Sequence, residues 1–316
     1  MINKELIANF ATPQYPLRAS NVPNFLLCPS WVIVDMTTAD DKKIWKATDT
    51  GTGFGLAAQI YHFEDMDEGL LSKSVFDSLM KRIKDASKNG HTFVREDGTK
   101  DITDPFPLAD LDQIEQWMDF YAQDSRNWKS GPYGEVIKSS LEASLSIQIK
   151  PHPMDKTQLP VYITGHTDQV RQDPHTQALT VWDIKCSKRF RHPSDMLQHY
   201  GAQQAIYVQA IFEKYNRATS WGGIIHPPSY EGSMLIPNDG RDPKKKGKRI
   251  RVKRAPEECK VFIPAAWTYE AVKSLLDQVA LQVALVRNMV LQQKPGEHCN
   301  WCHYEGFNNC HNYFSV

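Results

Sequence analysis

Residues 141–186 constrain the fold most. Three strand-period segments follow one another there: LEASLSIQI alternates, LPVYITGHTDQV is a β-rich run ending in a polar turn, and ALTVWDIKCS is apolar up to an abrupt Asp-Ile-Lys. Such runs read as strands in the middle of the chain. Two acids fall at strand ends, Asp168 after VYITGHT and Asp183 after ALTVW. The strand period of two sends Asp183 and Lys185 to one face and points Ile184 into the core behind them.

That arrangement has a chemical use. Converging carboxylates can hold Mg²⁺ or Mn²⁺ while leaving positions for water and a phosphate oxygen. A lysine on the same face can orient the attacking water and stabilise charge growing on phosphorus. A salt-bridged strand pair with no ligand would give the same letters.

Elsewhere the period is helical. It predicts helices at about 70–87, ending at Gly90, and at 109–122, where Ile114, Trp117, Met118 and Tyr121 share a face. Another is expected over 194–215. The cleanest is 268–292, where Val272, Leu275, Leu276, Val279, Val283, Val286 and Val290 recur behind a Thr268 cap.

The 316 residues carry 37 basic and 37 acidic side chains, so a binder of nucleic acid that is basic throughout is excluded. A local basic face is not. Lys244–Arg254, KKKGKRIRVKR, has eight Lys or Arg in eleven positions. It reads either as a solvated loop leading into an exposed strand or as a hairpin that contacts phosphates through Lys244, Lys245, Lys246, Lys248 and Arg249. With 23% charged and 41% hydrophobic residues the composition is that of a globular protein. No uncharged apolar stretch of membrane-spanning length is present, and MINKELIANF does not read as a secretory leader. The expectation is a protein of a reducing cytoplasm.

Three of the six cysteines, Cys299, Cys302 and Cys310, fall in the last eighteen residues with the spacing C-x2-C-x7-C. A fourth ligand can come from His298, His303 or His311, giving a zinc site. Alternatively Cys28, in NFLLCPSW, closes a four-cysteine site around an iron–sulfur cluster. Cys186 and Cys259 stand alone and read as small buried hydrophobes.

Taken in order, Gly165-His166-Thr167-Asp168, Asp183-Ile184-Lys185 and Gln203-x3-Tyr207 resemble the successive motifs of PD-(D/E)XK nucleases. The branch resembled is the RecB-like one, with AddB, CRISPR-adaptation nucleases and phage exonuclease-like proteins. Glu142 matches the acid often found at the head of the first strand. TGTGFGLAAQIYHFED stands where the branch has a glycine-led helix bearing a metal-binding histidine. Aligning Gly55 with the family glycine places Gln59 at the histidine position and His62 one turn away. Cys28 with C-x2-C-x7-C matches the branch's iron–sulfur staple, with a longer last spacing.

The resemblance covers roughly residues 20–312. It implies an α/β fold: a PD-(D/E)XK, restriction-endonuclease-like core with a central mixed sheet flanked by helices and the termini joined by a metal cluster. One domain over 1–316 is expected, with a helical part at about 20–135, a catalytic core at 136–265 and a C-terminal helix with the cysteines at 266–316. The implied activity is metal-dependent cleavage of DNA, single-stranded or at duplex ends, by an exonuclease of recombination, repair or phage DNA processing in a bacterial or phage-infected cell. Recombination or replication proteins are its implied partners. Asp168, Asp183, the Ile184 carbonyl, Glu142 and His62 would serve Mg²⁺ or Mn²⁺, Lys185 the water, and Gln203 and Tyr207 the DNA or Lys185. Cys28, Cys299, Cys302 and Cys310 would hold a [4Fe–4S] cluster. A non-catalytic nucleic-acid-binding module of this fold and a zinc-stapled structural protein remain the alternatives.

Overall fold

A computed structural model of the chain describes residues 4–30, 32–33, 46–64, 66, 73–94, 100–103, 105–106, 111–129, 133–141, 143–186, 193–227, 233–237, 249–253, 260–262 and 269–288. The expectations resting on Glu142, Lys244, Lys245, Lys246, Lys248, Cys259, Thr268, Val290, Cys299, Cys302, Cys310 and the three histidines beside them lie outside these residues.

The strand-period block forms the expected sheet region. Strands β4 (Glu135–Val136), β7 (Gln169–Gln172), β8 (Leu179–Ile184), β9 (Thr219–His226) and β12 (Lys260–Phe262) make a mixed sheet in the order β12-β9-β8-β7-β4. Only β8 and β9 run parallel in it. A second sheet, in the order β1-β6-β5, joins β1 (Leu17–Arg18), β5 (Ala143–Ile149) and β6 (Val161–Thr167).

What reads in the sequence as a polar turn after β6 is instead β7. The chain passes from one sheet to the other through a single residue, Asp168. Gln169 and Arg171 look like turn residues because they are polar, yet both are buried. Arg171 Nε donates to Gln169 Oε1 at 2.9 Å and its Nη1 to the Gly134 carbonyl at 3.1 Å. A polar residue goes inside when its hydrogen bonds are met there.

The alternation of β8 divides the interior. Leu179 and Val181 join one hydrophobic core and Trp182 the other, while Ile184 packs at its edge. On the first face lie α1 (Lys4–Ala8), α2 (Val22–Leu27), α6 (Pro193–Tyr215) and α7 (Tyr269–Arg287). On the second lie α3 (Lys46–Phe63), α4 (Lys73–Asn89) and α5 (Leu111–Lys129). Helices therefore cover both faces of a mixed sheet, as expected.

Trp182 fits only because its neighbour has no side chain. β8 and β9 slip register at this residue, and a Cβ on Gly222 would lie 2.2 Å from the indole nitrogen. Helix α6 starts with Pro193 at its first position, where no N–H is required. It stops at Asn216, which is in the left-handed region (φ 48°) and returns its N–H to the Phe212 carbonyl at 2.8 Å.

Helix α7 buries Val272, Val279, Val283 and Val286 as its periodicity requires, and ends at Arg287. That guanidinium is wholly enclosed and all five of its N–H groups are used. It pairs with Asp155 at 2.8 Å and donates to the carbonyls of Phe10, Ala11, Leu159 and Pro160. The last turn of α7 is thereby tied to the N-terminal segment and to the β5–β6 connection.

Two hairpins stand apart from these sheets, β2 (His91–Val94) with β3 (Lys100–Thr103), and β10 (Ser233–Pro237) with β11 (Arg249–Lys253). β11 holds residues 249–253 of the basic segment, and Arg249 pairs with Pro237. No helix among the described residues is long and apolar enough to cross a membrane.

Candidate active site

Asp183 shares the face of Leu179 and Val181, so it points toward α6 near the end of β8. It is only 1% exposed. A buried carboxylate needs compensation, and Lys185 supplies it from two residues on, with Nζ 2.6 Å from Asp183 Oδ2. The shared face expected for the two side chains is thus observed. Asp183 Oδ2 faces that ammonium and accepts no other hydrogen bond.

Asp168 reaches the same strand end from the sheet junction. Its Oδ2 accepts the Ile184 N–H at 2.5 Å, which seats it between Asp183 and Lys185 along the chain. Burial alone would pull the Lys185 ammonium down, but Asp183 and Asp168 overcome this and hold it well above the ordinary lysine range. Lys185 is therefore a cation. Beside it, burial and then the Asp168 carboxylate push the Cys186 thiol far up, so it stays neutral against Gly51 of α3. Cys186 is thus a small hydrophobe packed against the second core, but half-buried rather than buried as expected.

Gln203 and Tyr207, one turn apart on α6, form a buried pair in which Gln203 Nε2 donates to the Tyr207 hydroxyl at 2.9 Å. Burial pushes the Tyr207 phenol up to about 12 against the pull of that hydrogen bond. Its ring lies against Gly165, where a Cβ would come 2.6 Å from Cε1. The glycine of the Gly-His-Thr-Asp run is thus required by the tyrosine of the later helix. His166 is on the exposed side and bonds Ser144 across the hairpin at 3.0 Å.

His62 is joined to this region indirectly. Its Nε2 shares a 2.7 Å hydrogen bond with the Tyr121 hydroxyl, which also accepts from Gln169 Nε2 at 3.2 Å. The chain His62–Tyr121–Gln169–Arg171 runs along the strand that follows Asp168. Gln59, one turn before His62, faces Lys138 and Leu141 at the approach to β5. Cys28 is buried at the C-terminal end of α2, its N–H bound to the Asn24 carbonyl at 2.8 Å.

Sequence reasoning did not single out Tyr200. Its ring centroid lies 5.3 Å from Lys185 Nζ. Tyr200 precedes Gln203 by three positions, so reading back along the Gln203 face of the helix would have found it.

Among the described residues no three His, Cys, Asp or Glu side chains gather closely enough to hold a metal ion. The described site is two carboxylates and a lysine. The donors are nevertheless hard oxygens, and Asp183 Oδ2 has no partner but the Lys185 ammonium. Such a set fits Mg²⁺ or Mn²⁺ rather than a soft metal.

A family model described as the PD-(D/E)XK nuclease superfamily matches residues 36–307. No curated protein matches the chain. A solved structure described as the crystal structure of SSO0001 matches at 11% identity, covering 89% of this chain and 93% of that one, with a TM-score of 0.27.

Proposed function

The chain belongs to the PD-(D/E)XK nuclease superfamily, and from that membership we propose that it is a divalent-metal-dependent deoxyribonuclease acting from DNA ends. The observation that carries the reading is the meeting of Asp168, Asp183 and Lys185 at one strand end. Asp168 and Asp183 would hold Mg²⁺ or Mn²⁺, with the Ile184 carbonyl, Glu142 and His62 as further candidates. When bound, the cation would polarise the phosphodiester and lower the pKa of water. Lys185, positively charged and partly exposed, would place its ammonium against the water and the negative charge that develops on phosphate. Gln203 and Tyr207 would set the position of α6 behind it. The direct test is degradation of end-labelled single- and double-stranded DNA across a series of metals. Release of mononucleotides from ends with Mn²⁺ or Mg²⁺ supports the proposal, and no cleavage under any condition removes it.

The basic hairpin is proposed as the phosphate-tracking element. Neutralising Lys244, Lys245, Lys246, Lys248 and Arg249 together is expected to weaken DNA binding and flatten its dependence on salt. For every duplex phosphate that is no longer neutralised, the log–log slope should fall by roughly 0.9. Fluorescence anisotropy at several salt concentrations measures this, and an unchanged slope would return the segment to a solvated loop.

We further propose that Cys28, Cys299, Cys302 and Cys310 hold a [4Fe–4S] cluster that staples a single domain. Supporting this, Cys28 ends a helix that packs against α7, the element that leads toward the other three cysteines. Anaerobically purified protein should be brown with about four iron and four sulfide per chain. Cys28→Ser should bleach it as fully as Cys302→Ser, while Cys186→Ser leaves the colour unchanged. Colourless protein with zinc, indifferent to Cys28→Ser, would favour the histidine-completed zinc site instead. Action in recombination, repair or phage DNA processing, with protein partners from those processes, is the biological setting that goes with this reading.

A further inference from the structure

We propose that Tyr200 is the positioning residue for Lys185, its ring holding the ammonium in the site when the Asp183 carboxylate is engaged by a cation. The proposal rests on Lys185 being the charge-stabilising lysine.

The main chain at Lys185 is fixed, because its N–H is bound to the Ile225 carbonyl at 2.9 Å. The side chain is not. It has four rotatable carbon bonds, is 27% exposed, and can swing to solvent. Among the described residues two contacts retain it, Asp183 Oδ2 at 2.6 Å and the Tyr200 ring at 5.3 Å.

These contacts fare differently as the site loads. Asp183 has two claims on it, since the oxygen that faces Lys185 has no partner but the ammonium and is also the one open to a cation. A cation there would spend the carboxylate's charge and repel the ammonium. The ring face of Tyr200 does not compete for the metal. Its electron-rich face attracts an ammonium without itself being ionised, and partial desolvation strengthens the attraction.

The helix makes the ring a dependable support. Tyr200 lies in the second turn of the 23-residue α6, half-buried and packed against the first core. One turn on, the Gln203–Tyr207 pair fixes the same face of the helix. His199 lies beside the ring, with centroids 6.2 Å apart. The support is therefore built from the helix that covers the sheet, while the group it supports comes from the sheet.

The test compares Tyr200→Phe, which keeps the ring, with Tyr200→Leu, which keeps apolar volume only. In the metal-free full-length chain, the ε-methylene protons of Lys185, assigned by their loss in Lys185→Arg, should be shifted upfield by the ring. That shift should persist in Tyr200→Phe and vanish in Tyr200→Leu. In Mn²⁺-supported cleavage, Tyr200→Leu should lower kcat about tenfold with KM unchanged, and Tyr200→Phe should stay within about twofold of the parent. Wild-type kcat in Tyr200→Leu, an equal loss in Tyr200→Phe, or a rise in KM with kcat preserved would each overturn the inference. Should Tyr200→Leu melt early, Tyr200→Met fills similar space and is judged by the same criteria. Full cleavage by Lys185→Ala would instead remove the lysine assignment, leaving the ring-shift measurement to report the proximity alone.

Discussion

Asp183→Asn and Asp168→Asn are each expected to lower DNA cleavage by on the order of 10³ or more while the chain remains folded. Asparagine keeps the shape of the buried carboxylate, so the loss reports charge and not packing. Both variants should bind DNA as well as the parent or better, because an anion beside the phosphate has been removed. Lys185→Ala should cost a comparable factor, yet leave Mn²⁺ binding measurable by titration, since lysine donates no lone pair in its charged state. Calcium should support DNA binding with no turnover, because it accepts the same oxygens in looser geometry. Steady-state assays with melting curves check all three variants. Full activity in any one would show that the meeting of these side chains is a structural ion pair.

Arg287→Met should produce the largest loss of stability of any single change outside the core. The substitution leaves Asp155 buried without its cation and removes the guanidinium donor from four backbone carbonyls, of which Ala11 keeps the Tyr162 N–H at 2.8 Å. Removing one partner of an enclosed ion pair costs about 3–5 kcal/mol. For a chain of this size that is on the order of 10 °C in melting temperature. Combining it with Asp155→Leu should recover only part, since the carbonyls of Phe10, Leu159 and Pro160 lose the guanidinium and gain nothing. Asp155 also accepts from the Thr157 N–H and hydroxyl, at 2.9 and 2.7 Å, and these lose their acceptor in the double variant. Thermal and denaturant unfolding separate the two contributions, and a melting point unchanged by Arg287→Met would mean the guanidinium is not enclosed in solution.

The parts of the molecule that could be read in the sequence are those where burial leaves a period. The stripe of α7, the strand that leads to Asp168 and the strand bearing Asp183 lie where the alternation of residues puts them. The apolar pattern at 109–122 reports burial rather than helicity, so it ends near Ala122 while α5 continues to Lys129. α3 shows the opposite case. Phe54, Leu56, Ala57, Ala58, Ile60 and Tyr61 are all buried, leaving no polar face and hence no period; only family resemblance pointed to a helix there. β7 was hidden because Gln169 and Arg171 are polar, and their partners come from Tyr121 and Gly134 far away in the chain. The site shows the same division. Asp183 and Lys185 are two residues apart and local geometry joins them, whereas Tyr200 meets Lys185 only after α6 has docked on the sheet. Arg287 looks like the polar end of a helix until the N-terminal segment closes over it.

The single-residue passage between β6 and β7 also fixes where this chain can change length over evolutionary time. Loops elsewhere can lengthen at a small entropic cost. Between Thr167 and Gln169 there is no slack to absorb an insertion. One added residue would turn β7 over, driving Gln169 and Arg171 into the apolar core that holds Val170 and leaving Val170 among their polar partners. The same slip would withdraw Asp168 from the Ile184 N–H. Foldability and the placement of the acid therefore fail together at this point, so lineages descending from this chain should vary in length around the passage but never within it.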